Sequence, residues 1–93
     1  GTSFEWDEIK NLINQQKHGV SFEEAQRAFD DEKRVIIRDL GHEKGEKRFF
    51  CLGWVDGGVM TVRFSYRRKV IRIYGAGYWR QGRKRYEQEN KIY

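Results

Sequence analysis

His18 offers an imidazole, the side chain that exchanges protons near neutral pH, at the end of a helical stretch that also carries Lys17 in its last turn and Lys10 one helical turn below Asn14. Glu46 stands two residues before Arg48 in a polar stretch and offers a carboxylate as the alternative proton acceptor. Arg63, Arg67, Arg68, Arg72 and Arg80 add guanidinium groups, and Tyr78-Trp79 adds two flat rings. A proton acceptor surrounded by cations is suited to attack at an anionic phosphorus centre without a metal. Each residue also has a plainer reading. His18 and Lys17 end a helix, where positive charge is favourable in its own right, and the stem of Lys10 covers apolar surface. Glu46 beside Arg48 reads as an exposed ion pair, Arg72 as a surface charge, and Tyr78 and Trp79 as anchors of the segment that follows. His42 and the lone Cys51 complete no metal-ligand spacing, so neither a metal nor another cofactor is expected.

The charge is divided along the chain. Residues 1–32 carry three basic and eight acidic side chains, net −5, whereas residues 33–93 carry sixteen and six, net +10. A basic stretch interleaved with Phe, Tyr and Trp suits a polyanion whose bases stack while its phosphates are neutralised; the alternative is a solvated basic surface or one that meets an acidic protein. At 93 residues one domain spanning 1–93 is expected, and 14 aromatic residues (6 Phe, 5 Tyr, 3 Trp) must supply much of its core. Trp6 and Trp54 are assigned to that core, and Cys51 is read as a small filler. No apolar run reaches membrane-spanning length and no signal-peptide pattern opens the chain, so a cytoplasmic location without membrane contact is expected.

These residues need elements to hold them. Ile9, Leu12, Ile13 and Gln16 recur at helical intervals between a capping Asp7 and a terminating Gly19, which predicts an amphipathic helix over 7–18. Ser21-Phe22-Glu23-Glu24 has capping-box spacing, and Phe22, Ala25, Ala28 and Phe29 form the inner stripe of a second helix closed at Asp30-Asp31. From Arg34 the period becomes two. Val35 to Ile37 reads as a strand, and 41–46 as a polar loop. A three-residue loop Asp56-Gly57-Gly58 would pair Val55 with Val59, Trp54 with Met60, Leu52 with Val62 and Phe50 with Phe64, leaving Phe49, Cys51, Thr61, Arg63 and Ser65 on the other face. Val70 to Tyr74 adds a strand with Ile71 and Ile73 inward and Arg72 and Tyr74 outward, and residues 80–91 form a polar helix. Gly1 to Ser3 receive no structural weight. The expected fold is α+β, in the order short strand, two helices, four-stranded sheet, helix: two N-terminal helices packed on a twisted antiparallel four-stranded sheet, with a C-terminal helix.

Phe4-Glu5-Trp6-Asp7, Lys10, Asn14 and Lys17-His18-Gly19-Val20-Ser21-Phe22-Glu23-Glu24-Ala25 together resemble the opening signature of the BrnT family, bacterial ribonuclease toxins of type II toxin-antitoxin pairs. His42-x-x-Gly45-Glu46-x-Arg48, Gly53, Val62 and Arg72-Ile73 extend the resemblance over about residues 4–74. Beyond it, where the family commonly reads Ser-Ala-Arg and then Arg-Glu, this chain has Gly75-Ala76-Gly77-Tyr78-Trp79-Arg80-Gln81-Gly82. The resemblance implies a RelE-like fold and a metal-independent endoribonuclease, neutralised in a hetero-oligomer by a cognate antitoxin of ribbon-helix-helix type. In that reading His18, Glu46, Arg72 and Arg80 are the catalytic candidates. Lys10, Lys17, Arg48, Arg63, Arg67, Arg68, Tyr78 and Trp79 are the RNA-binding ones. The alternative is a non-catalytic member that binds RNA or antitoxin and takes part in operon autoregulation.

Overall fold

The computed structural model describes residues 2–42 and 45–92, with the side chain of His42 outside the described set. The predicted loop over 41–46 therefore lies partly outside the described residues. Among the described residues five strands form one mixed sheet: β1 (Ser3–Glu5), β2 (Val35–Arg38), β3 (Arg48–Val55), β4 (Gly58–Arg67) and β5 (Val70–Gly77), in the order β1-β5-β4-β3-β2. The expected four-stranded antiparallel sheet is corrected by β1, which pairs in parallel with β5 through Ser3↔Val70, Phe4↔Ile71 and Glu5↔Arg72. Ser3, given no weight in the sequence, is part of that pairing. Such a pairing joins the two ends of the chain, and no local pattern announces it.

The first helix, α1 (Glu8–His18), begins and ends where its caps predict. Asp7 accepts from the Ile9 and Lys10 amides at 2.8 and 3.3 Å, and Gly19 takes the left-handed conformation at φ +68°. Its orientation is the reverse of the expected one. Ile9, Leu12 and Ile13 are 69%, 55% and 43% exposed, while Asn11 and Asn14 are buried. After it, Ser21 and Glu24 form the full capping box, but the second helix, α2 (Phe22–Ala25), lasts one turn before tightening into a 3-10 segment over Gln26–Asp30. Phe22, Ala25 and Ala28 are buried as expected, so the inward stripe survives the change of helix type.

The β3–β4 hairpin corrects the predicted register by one residue. Its loop is Asp56-Gly57, with φ +50° and +88°, and Val55 faces Gly58. Two left-handed residues give the primed turn whose twist matches the strands, and Asp-Gly is a favoured pair for it. The pairs are therefore Trp54↔Val59, Leu52↔Thr61, Cys51↔Val62, Phe50↔Arg63 and Phe49↔Phe64. A slip of one residue exchanges faces. Phe49 and Cys51 join Met60, Val62, Phe64, Ile71 and Ile73 beneath α2 and the 3-10 segment, where Phe64 meets Phe29 at 5.0 Å and Phe49 at 5.5 Å between ring centroids. Burial pushes the Cys51 thiol up to about 12.

Phe50, Leu52 and Trp54 move to the opposite face, which α3 (Arg80–Glu89) covers at one end through Tyr86 on Leu52 and Val59. Trp54 lies there 54% exposed, not in the core, because the shifted register points it away from α2 and the 3-10 segment. The Tyr86 hydroxyl donates to Asp31 at 2.6 Å, pinning α3 to the end of the 3-10 segment. Burial works against the charge of Asp31, but hydrogen bonds from Tyr86 and from the Trp54 and Lys33 amides outweigh it and hold the carboxyl below its ordinary range.

Candidate nucleic-acid interface

The sheet face away from α2 is only half covered, and its open half carries the arginines. Arg63 faces it from β4 and Arg72 from β5, as the strand alternation predicts. A bulge between Arg63 and Phe64 leaves Tyr74 as the extra residue of β5. Two guanidiniums lie over its ring, with the Arg48 carbon 4.5 Å and the Arg63 carbon 5.0 Å from the centroid. Burial raises the Tyr74 hydroxyl above its ordinary value, while Arg48 and Arg63 pull the other way.

Beyond Arg72 the short β1 no longer covers β5, and α1 takes its place along that edge. Asn14 substitutes for a strand: its amide donates to the Ala76 carbonyl at 2.9 Å and its oxygen accepts from the Ala76 amide at 3.2 Å, while a second donor reaches the Val20 carbonyl at 2.8 Å. Asn11 accepts from the Phe22 amide at 2.8 Å and donates to Glu8 and Glu23, both at 3.0 Å. Unpaired backbone groups at a sheet edge and a helix entry require polar partners, which is why asparagines face inward here. Asparagine is a poor residue for a helix interior, so two of them three residues apart were the available sequence signal.

This rotation of α1 aims its flank at the open sheet face. Lys10, Lys17 and His18 meet Arg63, Tyr74, Gly75 and Trp79 around a cleft of about 210 Å³. The His18 ring stands edge-on to Trp79, with centroids 5.2 Å apart. Gly75 and Gly77 make this possible. A side chain at Gly75 would crowd the Arg63 stem, and one at Gly77 would run into the Trp79 indole. The Gly-Ala-Gly stretch that departs from the resembled pattern thus accommodates Arg63 and Trp79, with Ala76 held between them by Asn14.

The remaining candidates are placed elsewhere. Glu46 lies 3.5 Å from Arg67 and 3.9 Å from Arg48, whose guanidinium in turn lies on the Tyr74 ring at the cleft. Arg72 is paired with Glu5 of β1 at 2.7 Å. Arg80 shares a separate depression with Tyr78, Arg83 and Gly58 on the other side of Trp79, and the Tyr78 hydroxyl donates to the Val55 carbonyl at 2.9 Å. Arg68 and Lys69 form the β4–β5 turn at φ +52° and +69°, a conformation costly for long side chains that holds two cations at an exposed hairpin tip. Sequence reasoning gave no role to Asn11, Asn14 or Tyr74, which orient α1 and brace Arg63.

Among the described residues no group of three His, Cys, Asp or Glu side chains could hold a metal ion. No helix among them is long and apolar enough to cross a membrane. The family model that matches the chain, over residues 6–82, is that of the ribonuclease toxin BrnT of type II toxin-antitoxin systems. No curated protein matches the chain.

Proposed function

Because the chain belongs to the BrnT family of type II toxin-antitoxin ribonuclease toxins, we propose that the cleft between α1 and the β4–β5 face holds the backbone of single-stranded RNA and cleaves it without a metal. The observation that carries this reading is the convergence of Lys10, Lys17, His18 and Arg63 around one cleft bordered by Trp79. In this mechanism the neutral His18 imidazole takes the proton of a ribose 2′-hydroxyl. The freed oxygen attacks the adjacent phosphorus, and the bond to the 5′-oxygen breaks, leaving a 2′,3′-cyclic phosphate while the departing oxygen takes a proton from solvent. Lys10, Lys17 and Arg63 stabilise the negative charge that builds at phosphorus. Glu46 positions Arg48 against Tyr74, and Arg72, Arg67, Arg68 and Arg80 extend the basic track for the rest of the strand. The RelE-like comparison belongs to this reading, as helices and a twisted sheet leave one sheet face open to RNA.

End-labelled RNA incubated in chelator should yield fragments ending in 2′,3′-cyclic phosphate, and His18→Ala should slow cleavage by about 10²-fold or more with an unchanged melting temperature. Intact RNA, or cleavage abolished by chelator, contradicts the mechanism. A second reading, binding without cleavage, is favoured by one observation: His18 is the one imidazole or carboxylate lining the cleft among the described residues, where general acid–base cleavage uses both an acceptor and a donor.

The partner in this proposal is a cognate antitoxin of ribbon-helix-helix type, within a hetero-oligomer that also represses its operon. The exposed Ile9, Leu12 and Ile13 beside a basic cleft suit an acidic, partly disordered segment that orders as it binds. The neighbouring gene product should copurify with the chain and relieve growth arrest, and failure of both removes the antitoxin proposal.

A further inference from the structure

Two departures from local structural preference meet at the Trp79 indole. Trp79 is the N-cap of α3, at φ −112° and ψ 142°, and its side chain makes no hydrogen bond to the helix it opens. Ser, Thr, Asp or Asn would cap those amides, so the indole stands there at a cost to α3. Gly77 is the second departure. Glycine weakens a strand interior, yet a β-carbon here would stand 2.6 Å from Cζ2 and 2.7 Å from Cε2 of the indole. The neighbouring backbone fixes the ring further: the Tyr78 hydroxyl donates to the Val55 carbonyl at 2.9 Å, and the Trp79 carbonyl accepts from the Arg83 amide at 3.1 Å.

What the indole meets is His18, with ring centroids 5.2 Å apart and an interplanar angle of 87°. The imidazole is exposed, and among the described residues its nitrogens take part in no hydrogen bond or ion pair, so the indole is what restrains its rotation. Both rings are tied to β5, His18 through the Asn14 bonds of α1 to Ala76 and Trp79 by following Ala76 closely in the chain. We infer that Trp79 is the positioning residue of the cleft, holding the His18 imidazole in the orientation from which it takes the ribose proton. The inference rests on the reading of His18 as proton acceptor and adds the group that orients it. In acid–base sites a carboxylate or carbonyl on the second ring nitrogen commonly takes this part; here an edge-on aromatic contact does so. Such a contact favours the held orientation by about twofold to tenfold. That is small beside the loss of about 10²-fold expected when the imidazole itself is removed.

The test is the kinetics of cleavage of a short single-stranded oligoribonucleotide in chelator, with proton NMR of the His18 ring as a second readout. Trp79→Ala should lower kcat about fivefold with KM near that of the parent, and Trp79→Phe should restore most of the rate. In the parent, nuclear Overhauser contacts should join the indole to the imidazole, whose signals are identified by their loss in His18→Ala. If Trp79→Ala does not fold, Gly77→Ala pushes the indole aside and should lower kcat while weakening those contacts. A raised KM with unchanged kcat overturns the inference and makes Trp79 a surface for an RNA base. Unchanged kinetics, absent Overhauser contacts, or a lost rate that Trp79→Phe does not restore also overturns it, while leaving cleavage to His18. An uncut oligomer, or His18→Ala cleaving at the parent's rate, overturns the proton-acceptor reading and this inference with it.

Discussion

The two faces of the sheet are built from the same strands by different rules. Under α2 and the 3-10 segment, Phe64, Met60, Val62 and Ile73 are buried among other apolar side chains, and the aromatic contacts of Phe29, Phe49 and Phe64 fill the space. On the other face, α3 covers Leu52 and Val59 with Tyr86, and the remainder is left to Arg48, Arg63, Arg72 and Tyr74. A small domain has little core to spare, so this division assigns one face to stability and releases the other for charge. Substitutions on the two faces should therefore change different measurements.

The largest effect is expected at the centre of the covered face. Phe64→Ala should destabilise the fold by about 3–5 kcal/mol, measured by urea unfolding, whereas salt-dependent RNA binding by the remaining folded protein should be unchanged. A comparable loss of binding without loss of stability would break the division between faces.

Asn14→Ala tests the junction where α1 meets the open face. It strands the Ala76 amide and carbonyl and the Val20 carbonyl, so a loss of about 2–4 kcal/mol in unfolding free energy is expected. Ile9→Ala, on the solvent side of the same helix, should stay within about 0.5 kcal/mol. Equal effects would mean that α1 is oriented by its apolar stripe after all.

A smaller effect is expected where α3 is pinned. Burial and the hydrogen bond to Asp31 push the Tyr86 phenol up to about 12, so the native state keeps that proton more tightly than the unfolded chain does. Its stabilisation should be fully present below the unfolded tyrosine value, near pH ~10, and fade as pH rises towards 12. Asp31, held below its ordinary value, contributes in the opposite sense, with stability present above about pH 4 and lost as pH falls. Tyr86→Phe should cost about 1–2 kcal/mol and flatten the alkaline limb in thermal melts across pH.

Features set by neighbours in sequence were legible in it. Asp7 and Gly19 bound α1, Ser21 and Glu24 cap α2, and Arg63, Arg72 and Tyr74 share a face because strand alternation is local. The hairpin register was missed because Asp56-Gly57-Gly58 permits two loop lengths, and the apolar pairing of the longer one is plausible until the left-handed pair Asp56 and Gly57 decides it. Burial of Asn14 depends on β5 having a bare edge next to it, and β1 pairing depends on residues almost seventy positions away. Of the candidate site, Lys10, Lys17, His18, Arg63 and Trp79 are brought together, whereas the bulge that inserts Tyr74 beside Arg63 left no pattern to read.

The central claim is that the RNA backbone lies in the cleft flanked by α1, and a salt titration of single-stranded RNA binding tests it directly. The double variant Lys10→Ala, Lys17→Ala should lower the slope of log affinity against log salt by about 1.4, the value for two phosphates of a single strand that the protein no longer neutralises. Arg83→Ala, Lys84→Ala removes the same charge from exposed positions on α3 and should leave the slope near that of the parent. If both pairs lower the slope equally, the basic surface attracts RNA without a defined track, and the cleft is not its site.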